Sequence, residues 1–280
     1  MKKEKLSDLQ IALLPMMDWF HKFCVQNHLR YYVIGGTMLG AARHQGFIPW
    51  DDDIDVGMPR QDYEKFMELC GDKRFDYFYV ESINTKNMDF YYGYGKIYDI
   101  RTTLVENTRY KIKRGIYLDV FPLDGAGNSK EQAEKIYRPI KKKIDLLGIK
   151  VFSLRNNRKM YKNIAILLGR LIPNWVINSK KLMIDIDNLC KKYNYDECEF
   201  MSNFWGNWGE KEVIPTRVMG TPRLYSFEGL EVFGVEHPDE YLSILYGNWR
   251  ELPPVKKRIT HHDYLLLDLN SGYVRKDSEK

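Results

Sequence analysis

The sequence predicts an α/β (α+β) fold: a mixed sheet flanked by helices, with a basic helical insertion. Three observations predict it. Short runs rich in Tyr, Val and Ile mostly precede stretches of helical periodicity, the order expected when helices cover a sheet. The chain has 280 residues, 44% of them hydrophobic and 29% charged, which is enough ordinary globular sequence to enclose a core. The stretch 138–181 departs from the rest in charge while keeping a helical period.

The elements follow in order. Leu6, Leu9, Leu13, Met17 and Phe20 share one side of a helix, so residues 5–28 are predicted helical. Tyr31 to Ile34 is a short β-rich run stopped by Gly35-Gly36, and residues 37–44 follow as a short helix. Residues 54–58 alternate as a second strand, and Pro59, favoured at an early helical position, opens a helix to Cys70. Residues 77–82, 90–99, 102–106 and 116–121 read as strands, and 129–149, 157–171 and 176–192 as helices. From 199 onward short strands and turns return, then a helix at 238–246 and a Pro-rich basic loop, Leu252 to Arg258.

Composition excludes several classes. Cys24, Cys70, Cys190 and Cys198 form no CxxC pair and have no His at zinc-finger spacing; with no secretory signal in the first residues, they read as reduced, buried thiols of a cytosolic protein. The longest apolar stretch, 164–175, is interrupted by Arg170 and Asn174 and falls short of the ~18 residues of a membrane span. Aromatics reach 14%, with 20 Tyr and 6 Trp, which suits either a packed core or the walls of a sugar or base site; composition favours the core.

The net charge is +5, unevenly placed. Residues 138–181 hold twelve Lys and Arg against one acid, Asp145, so the rest of the chain is net acidic. Ile144, Leu147 and Ile149, then Ile164, Leu167, Leu168 and Leu171, give the block apolar stripes. A basic amphipathic helix suits an anionic membrane surface; the alternative is that the stripes pack on the body and the lysines are solvated. Leucines rather than exposed aromatics line the block, so nucleic acid is not the expected partner.

The chemistry concentrates in Ile48-Pro-Trp-Asp-Asp-Asp-Ile-Asp-Val-Gly-Met58. On a strand Asp53 and Asp55 share one face while Ile54 and Val56 enter the core. Two close carboxylates repel unless a cation joins them, and Mg²⁺ takes carboxylates together with substrate phosphates. Asp51 and Asp52 read as caps of the preceding turn. Upstream, Gly35-Gly36-Thr37 ends a strand and opens a helix, where close backbone approach and free N–H groups favour a phosphate. Downstream, Asp119 sits in an apolar strand, where a buried carboxylate needs a partner; a third metal ligand would supply one, and a hydrogen-bonded structural Asp is the alternative. Asp124, after Pro122, reads as a turn residue.

Strand, Gly-Gly-Thr, short helix and a strand with Asp-x-Asp resemble the core of the nucleotidyltransferase (DNA polymerase β-like) superfamily. Within it, residues 35–55, Leu118 to Asp124 and the stretch from Tyr246-Gly-Asn-Trp through Leu-Pro-Pro-Val-Lys-Lys-Arg-Ile-Thr-His-His262 resemble the LicD family, which includes fukutin and the fukutin-related protein. The resemblance is weakest over 138–181. It implies a catalytic core at 1–128, a basic helical insertion at 129–195 and a C-terminal part, 196–280, that completes the site. It implies Mg²⁺, or Mn²⁺, held by Asp53, Asp55 and Asp119. It implies donor phosphates met by Gly35, Gly36, Thr37, Arg43, Lys96, Arg258, His261 and His262. For Arg43 the plain alternative is an exposed helix Arg, for Lys96 a snorkelling strand Lys, and for the last three a solvated tail.

The implied reaction is transfer of a phospho-alcohol, phosphocholine from CDP-choline foremost, to a sugar of a teichoic acid, lipopolysaccharide, capsule or lipid-linked glycan, releasing CMP. The reduced cysteines and the missing secretory signal lead to the expectation of a cytoplasmic protein, and the basic block to one peripheral at the inner face of the cell membrane. The rival readings are a nucleotidyltransferase that acts on a small acceptor and releases pyrophosphate, and a non-catalytic glycan- or membrane-binding protein of the same fold.

Overall fold

The computed structural model describes residues 5–71, 73–85, 92–154, 159–173, 175–260 and 264–273. Helix α1 (Asp8–Gln26) starts on a capping box: Ser7 accepts from the Gln10 backbone and the Gln10 side chain accepts from Ser7 N. It buries Leu9, Leu13, Met17 and Phe20, the face expected from their spacing. β1 (Tyr32–Val33), α2 (Gly35–His44), β2 (Asp55–Pro59) and α3 (Arg60–Cys70) follow. Pro59 ends the strand and caps the helix, one position outside where it was expected. β3 (Arg74–Phe75), β4 (Phe78–Glu81), β5 (Gly95–Asp99), β6 (Thr103–Glu106), β7 (Lys113–Arg114) and β8 (Tyr117–Gly127) complete the first half.

The basic stretch is three helices, α4 (Lys130–Val151), α5 (Met160–Leu171) and α6 (Ser179–Cys190). β9 (Phe200–Ser202), β10 (Val213–Pro215), α7 (Thr216–Met219), β11 (Arg223–Phe227), β12 (Leu230–Gly234), α8 (Pro238–Tyr246) and β13 (Tyr264–Asp268) close the described chain.

The main sheet runs β1-β2-β8-β5-β4-β3, with β9 on β8 and β10 on β9. Among the described residues only β2 and β8 pair in parallel, Asp55 opposite Asp119; β1–β2, β5–β8, β4–β5 and β8–β9 are antiparallel. β11 and β12 form a hairpin, and β13-β6-β7 a small separate sheet. The predicted mixed sheet flanked by helices is therefore present.

β8 is longer than its apolar core suggests, and its length corrects one reading. Asp124 is not in a turn: it lies inside β8 and is fully buried. Pro122 does not stop the strand because it needs no N–H partner on the β5 side. The β5 ladder ends at Val120 and the β9 ladder begins at Asp124, so Pro122 falls between them.

One apolar cluster packs α1, α2, α3 and α8 against the main sheet. A second, smaller cluster joins α4 and α6 to the far end of β8, β9 and β10 through Ala126, Tyr137, Ile140, Leu147, Met183 and Val213. Cys24, Cys70 and Cys190 are buried free thiols, as expected; Cys198 is half-buried. No helix among the described residues is long and apolar enough to cross a membrane.

Candidate active site

β2 and β8 put Asp55 and Asp119 side by side, and three backbone contacts fix the strand that carries Asp55. Asp55 N donates to Thr37 Oγ1 at 2.9 Å, Ile34 N donates to Asp55 O at 3.0 Å, and Asp119 N donates to Ile54 O at 3.0 Å. Ile54 and Val56 are fully buried, as their alternation requires. Asp53 lies just ahead of the strand. The Thr37 hydroxyl oxygen thus holds the strand of Asp55 by accepting from its backbone, which leaves the O–H as a donor.

The α2 N-terminus meets these acids directly. Gly35 has φ +54°, a left-handed conformation that suits glycine. Its N–H donates to Tyr241 Oη at 3.0 Å. A Cβ at Gly35 would sit 3.6 Å from Asp55 Oδ2, and one at Gly36 only 2.5 Å from Asp51 Oδ2. The glycines therefore let carboxylates close on a helix N-terminus, whose partial positive charge favours them. Gly36→Ala should displace the Asp51 carboxylate. The expected result is at least about tenfold lower turnover with a stability loss under about 1 kcal/mol, because the atom that must move is a side-chain tip. Unchanged turnover in a purified Gly36→Ala protein would remove Asp51 from the site.

The carboxylate oxygens of Asp51, Asp52 and Asp53 lie within 4.8 Å of one another. Tyr264 Oη donates to Asp52 Oδ2 at 3.3 Å. Asp51 N closes a turn on Ile48 O at 2.9 Å, and Asp51 and Asp52 are also part of an acidic group with Asp53. Burial pushes the Asp55 carboxyl well above its ordinary value, reinforced by Asp53, Asp119 and Asp51, with Lys96 opposing. Converging carboxylates that raise one another's pKa fit a hard divalent cation, which takes oxygen ligands and supplies the missing charge.

Asp119 has a buried lysine beside it. Lys96 is 1% exposed, so it does not snorkel. Its Nζ lies 3.0 Å from Asp119 Oδ1 and 3.7 Å from Glu106 Oε1. The ammonium also sits 3.3 Å from the Tyr117 ring centre and 4.4 Å from that of Tyr92. Both tyrosines donate to Glu106, at 3.0 Å and 2.6 Å. Burial raises the Asp119 carboxyl to about 6 against the pull of Lys96. Lys96 is the ion-pair partner of Asp119, while Asp119 Oδ1 is buried with no hydrogen-bond partner among the described residues. Glu106 and the two tyrosines are members of the site that only tertiary packing reveals.

Arg43 is not an exposed helix Arg. Its Nη1 donates to Trp249 O at 2.6 Å and Glu251 O at 3.3 Å. Arg258 Nε donates to Pro253 O at 2.8 Å, and its guanidinium lies 5.5 Å from the centre of a Trp50 ring. Burial and the nearby Arg258 lower the Arg43 pKa, so the two cations feel each other. Among the described residues neither forms an ion pair with a carboxylate, and Arg258 lies beside the tryptophan that precedes Asp51. The structure places Arg43 and Arg258 near each other, each hydrogen-bonded to carbonyls of the C-terminal segment. His261 and His262 lie outside the described residues.

Comparison with known proteins agrees with this arrangement. Residues 28–145 match the family model described as LicD/FKTN/FKRP, nucleotidyltransferase domain. The chain is 28% identical over 265 residues to the lipopolysaccharide cholinephosphotransferase LicD of Haemophilus influenzae, covering 94% of this chain and 97% of that protein. It is 46% identical over 43 residues to the human ribitol 5-phosphate transferase FKRP, covering 15% of this chain and 9% of that one. It is also 40% identical over 62 residues to the uncharacterised protein RP689 of Rickettsia prowazekii, 22% of this chain and 23% of that one. The Gly-Gly-Thr turn, the acidic strand and its partner strand all lie inside the segment that is similar to the LicD/FKTN/FKRP nucleotidyltransferase domain.

Proposed function

We propose that this chain is a phosphotransferase that moves a phospho-alcohol, phosphocholine from CDP-choline foremost, onto a sugar hydroxyl of a cell-surface glycan and releases CMP. The observation that carries the reading is the group of carboxylates gathered by β2 and the α2 N-terminus. Its support is the near full-length similarity to a protein named as a cholinephosphotransferase, joined by the shorter similarity to a ribitol 5-phosphate transferase.

In the proposed reaction the sugar oxygen forms a bond to the phosphorus that bears the alcohol. The bond from that phosphorus to the oxygen bridging it to CMP breaks, and CMP leaves with the electron pair. Asp51, Asp52, Asp53 and Asp55 would hold Mg²⁺, which would neutralise phosphate charge as it shifts to the leaving group. Gly35 and Gly36 keep side chains out of the space beside these acids. Arg43 and Arg258 bring positive charge toward the donor. Asp119, held by Lys96, is the group proposed to take the acceptor proton.

The test is a melting-temperature series of the full chain with Mg²⁺ and CDP-choline, CDP-ribitol, CDP-glycerol or CDP-ethanolamine, followed by product mass with a glycan acceptor. Stabilisation by one CDP-alcohol, with CMP and a glycan heavier by that phospho-alcohol, is the expected result. Pyrophosphate released from a nucleoside triphosphate, with no response to any CDP-alcohol, would replace this reading with nucleotidyl transfer to a small acceptor.

A further inference from the structure

We propose that α5 and the turn after it form a docking surface for an anionic lipid bilayer. This goes beyond the transfer reaction and does not depend on it. The apolar stripes of the basic block have opposite fates. On α4, Ile140 and Leu147 are buried and Ile144 packs against the second cluster. On α5, Met160, Tyr161, Ile164, Leu167, Leu168 and Leu171 are all exposed, Leu171 to 78%. Trp175, in the turn that follows, is 86% exposed.

The stripe faces outward because the opposite side of α5 is fixed to the body. At about 100° per residue, the six exposed residues cover one side and the two buried ones, Ile166 and Gly169, the other. Gly169 lies against Ile149 so closely that a Cβ would overlap it. Lys150, buried on α4, donates its ammonium protons to Ile172 O at 2.6 Å and Gly169 O at 3.4 Å. That places a cation on the last carbonyls of α5 and locks the helix about its axis.

Charge chooses the occupant. Lys142, Lys159, Lys162, Lys180 and Lys181 are exposed on α5 and on the segments that precede and follow it, and Asp145 is the one acid between residues 138 and 181. A symmetric contact with a second copy would set this positive surface against itself. An anionic bilayer instead offers phosphates to the lysines and a shallow apolar layer to the leucines, with Trp175 at the boundary.

The experiment is flotation of the full chain with vesicles of phosphatidylcholine alone or mixed with phosphatidylglycerol, beside Leu168→Glu/Leu171→Glu. Both positions are exposed, so the variant should keep its melting temperature. The expected result is flotation only with phosphatidylglycerol, weakened by salt and at least about tenfold lower in the variant. Three outcomes would overturn the proposal: a wild type that does not float, a variant that floats equally well, or a soluble dimer that the variant dissociates while no vesicle binds.

Discussion

Asp55→Asn should abolish turnover and yet give a protein that is more stable without metal. The catalytic half follows from position. Asp55 sits where β2 begins, against Gly35, with Asp53, Asp119 and Asp51 as its electrostatic neighbours. Removing a charge from such a site should cost roughly 10³-fold or more in kcat, because phosphoryl transfer relies on placed charge.

The stability half follows from sign. Folding raises the Asp55 pKa, so between the unfolded value and the higher folded value the folded state holds more protons than the unfolded one. Stability is then fullest below the unfolded value, near pH 4, and falls as pH rises toward the folded pKa. An amide of the same shape escapes that loss, so the variant should be more stable than the wild type at neutral pH and near parity at pH 4. Added Mg²⁺ should raise the melting temperature of the wild type much more than that of the variant. Urea or thermal melts across pH, with and without Mg²⁺, check all three points. A variant less stable than the wild type at neutral pH would show that the Asp55 charge is already compensated.

Arg60→Met should cost about 3–5 kcal/mol, the expected range when one partner of a buried ionic group is removed. Arg60 donates from Nε and Nη2 to both oxygens of Asp124, at 2.6 Å and 2.8 Å, and from Nη1 to Asp187 at 2.8 Å. Asp124 is fully buried and Asp187 nearly so. The three residues come from α3, β8 and α6, so one guanidinium joins the sheet to the basic helices. Without it two carboxylates stay buried with their main counter-charge gone. Replacing all three by apolar residues should recover most of the loss, since the penalty lies in the orphaned charges. Urea midpoints for the single and triple variants test this; a single-variant loss below about 1 kcal/mol would mean that water or a rearranged Lys191 takes over.

What the sequence shows and what it hides divide along local and long-range lines. The Gly35-Gly36 turn, the buried Ile54 and Val56 and the capped α1 are set by neighbours within a few residues, and local pattern finds them. Lys96 is different. Its strand alternation is plain, but whether it meets a phosphate or a carboxylate depends on the β5–β8 register, which sets it opposite Asp119. Asp124 and Arg60 are legible as single residues and not as a pair. Pro122 and the glycines after it look like a turn because the gap between the two neighbouring ladders is a tertiary fact. The apolar stripes on α4 and α5 look equivalent by period, and only packing separates core from surface.

The parallel pairing of β2 and β8 has a kinetic consequence. It closes a loop of roughly sixty residues, whereas β3, β4 and β5 join close neighbours antiparallel. Closing the longer loop costs more chain entropy before any contact returns it, and such contacts slow folding. The same step crowds acids that repel one another. A chain that has formed its hairpins but not this ladder would hold most of its strands with Asp55 and Asp119 still apart. Activity therefore reports completed topology, and the cation proposed for this site would favour the pairing of β2 with β8 as well as the chemistry beside it.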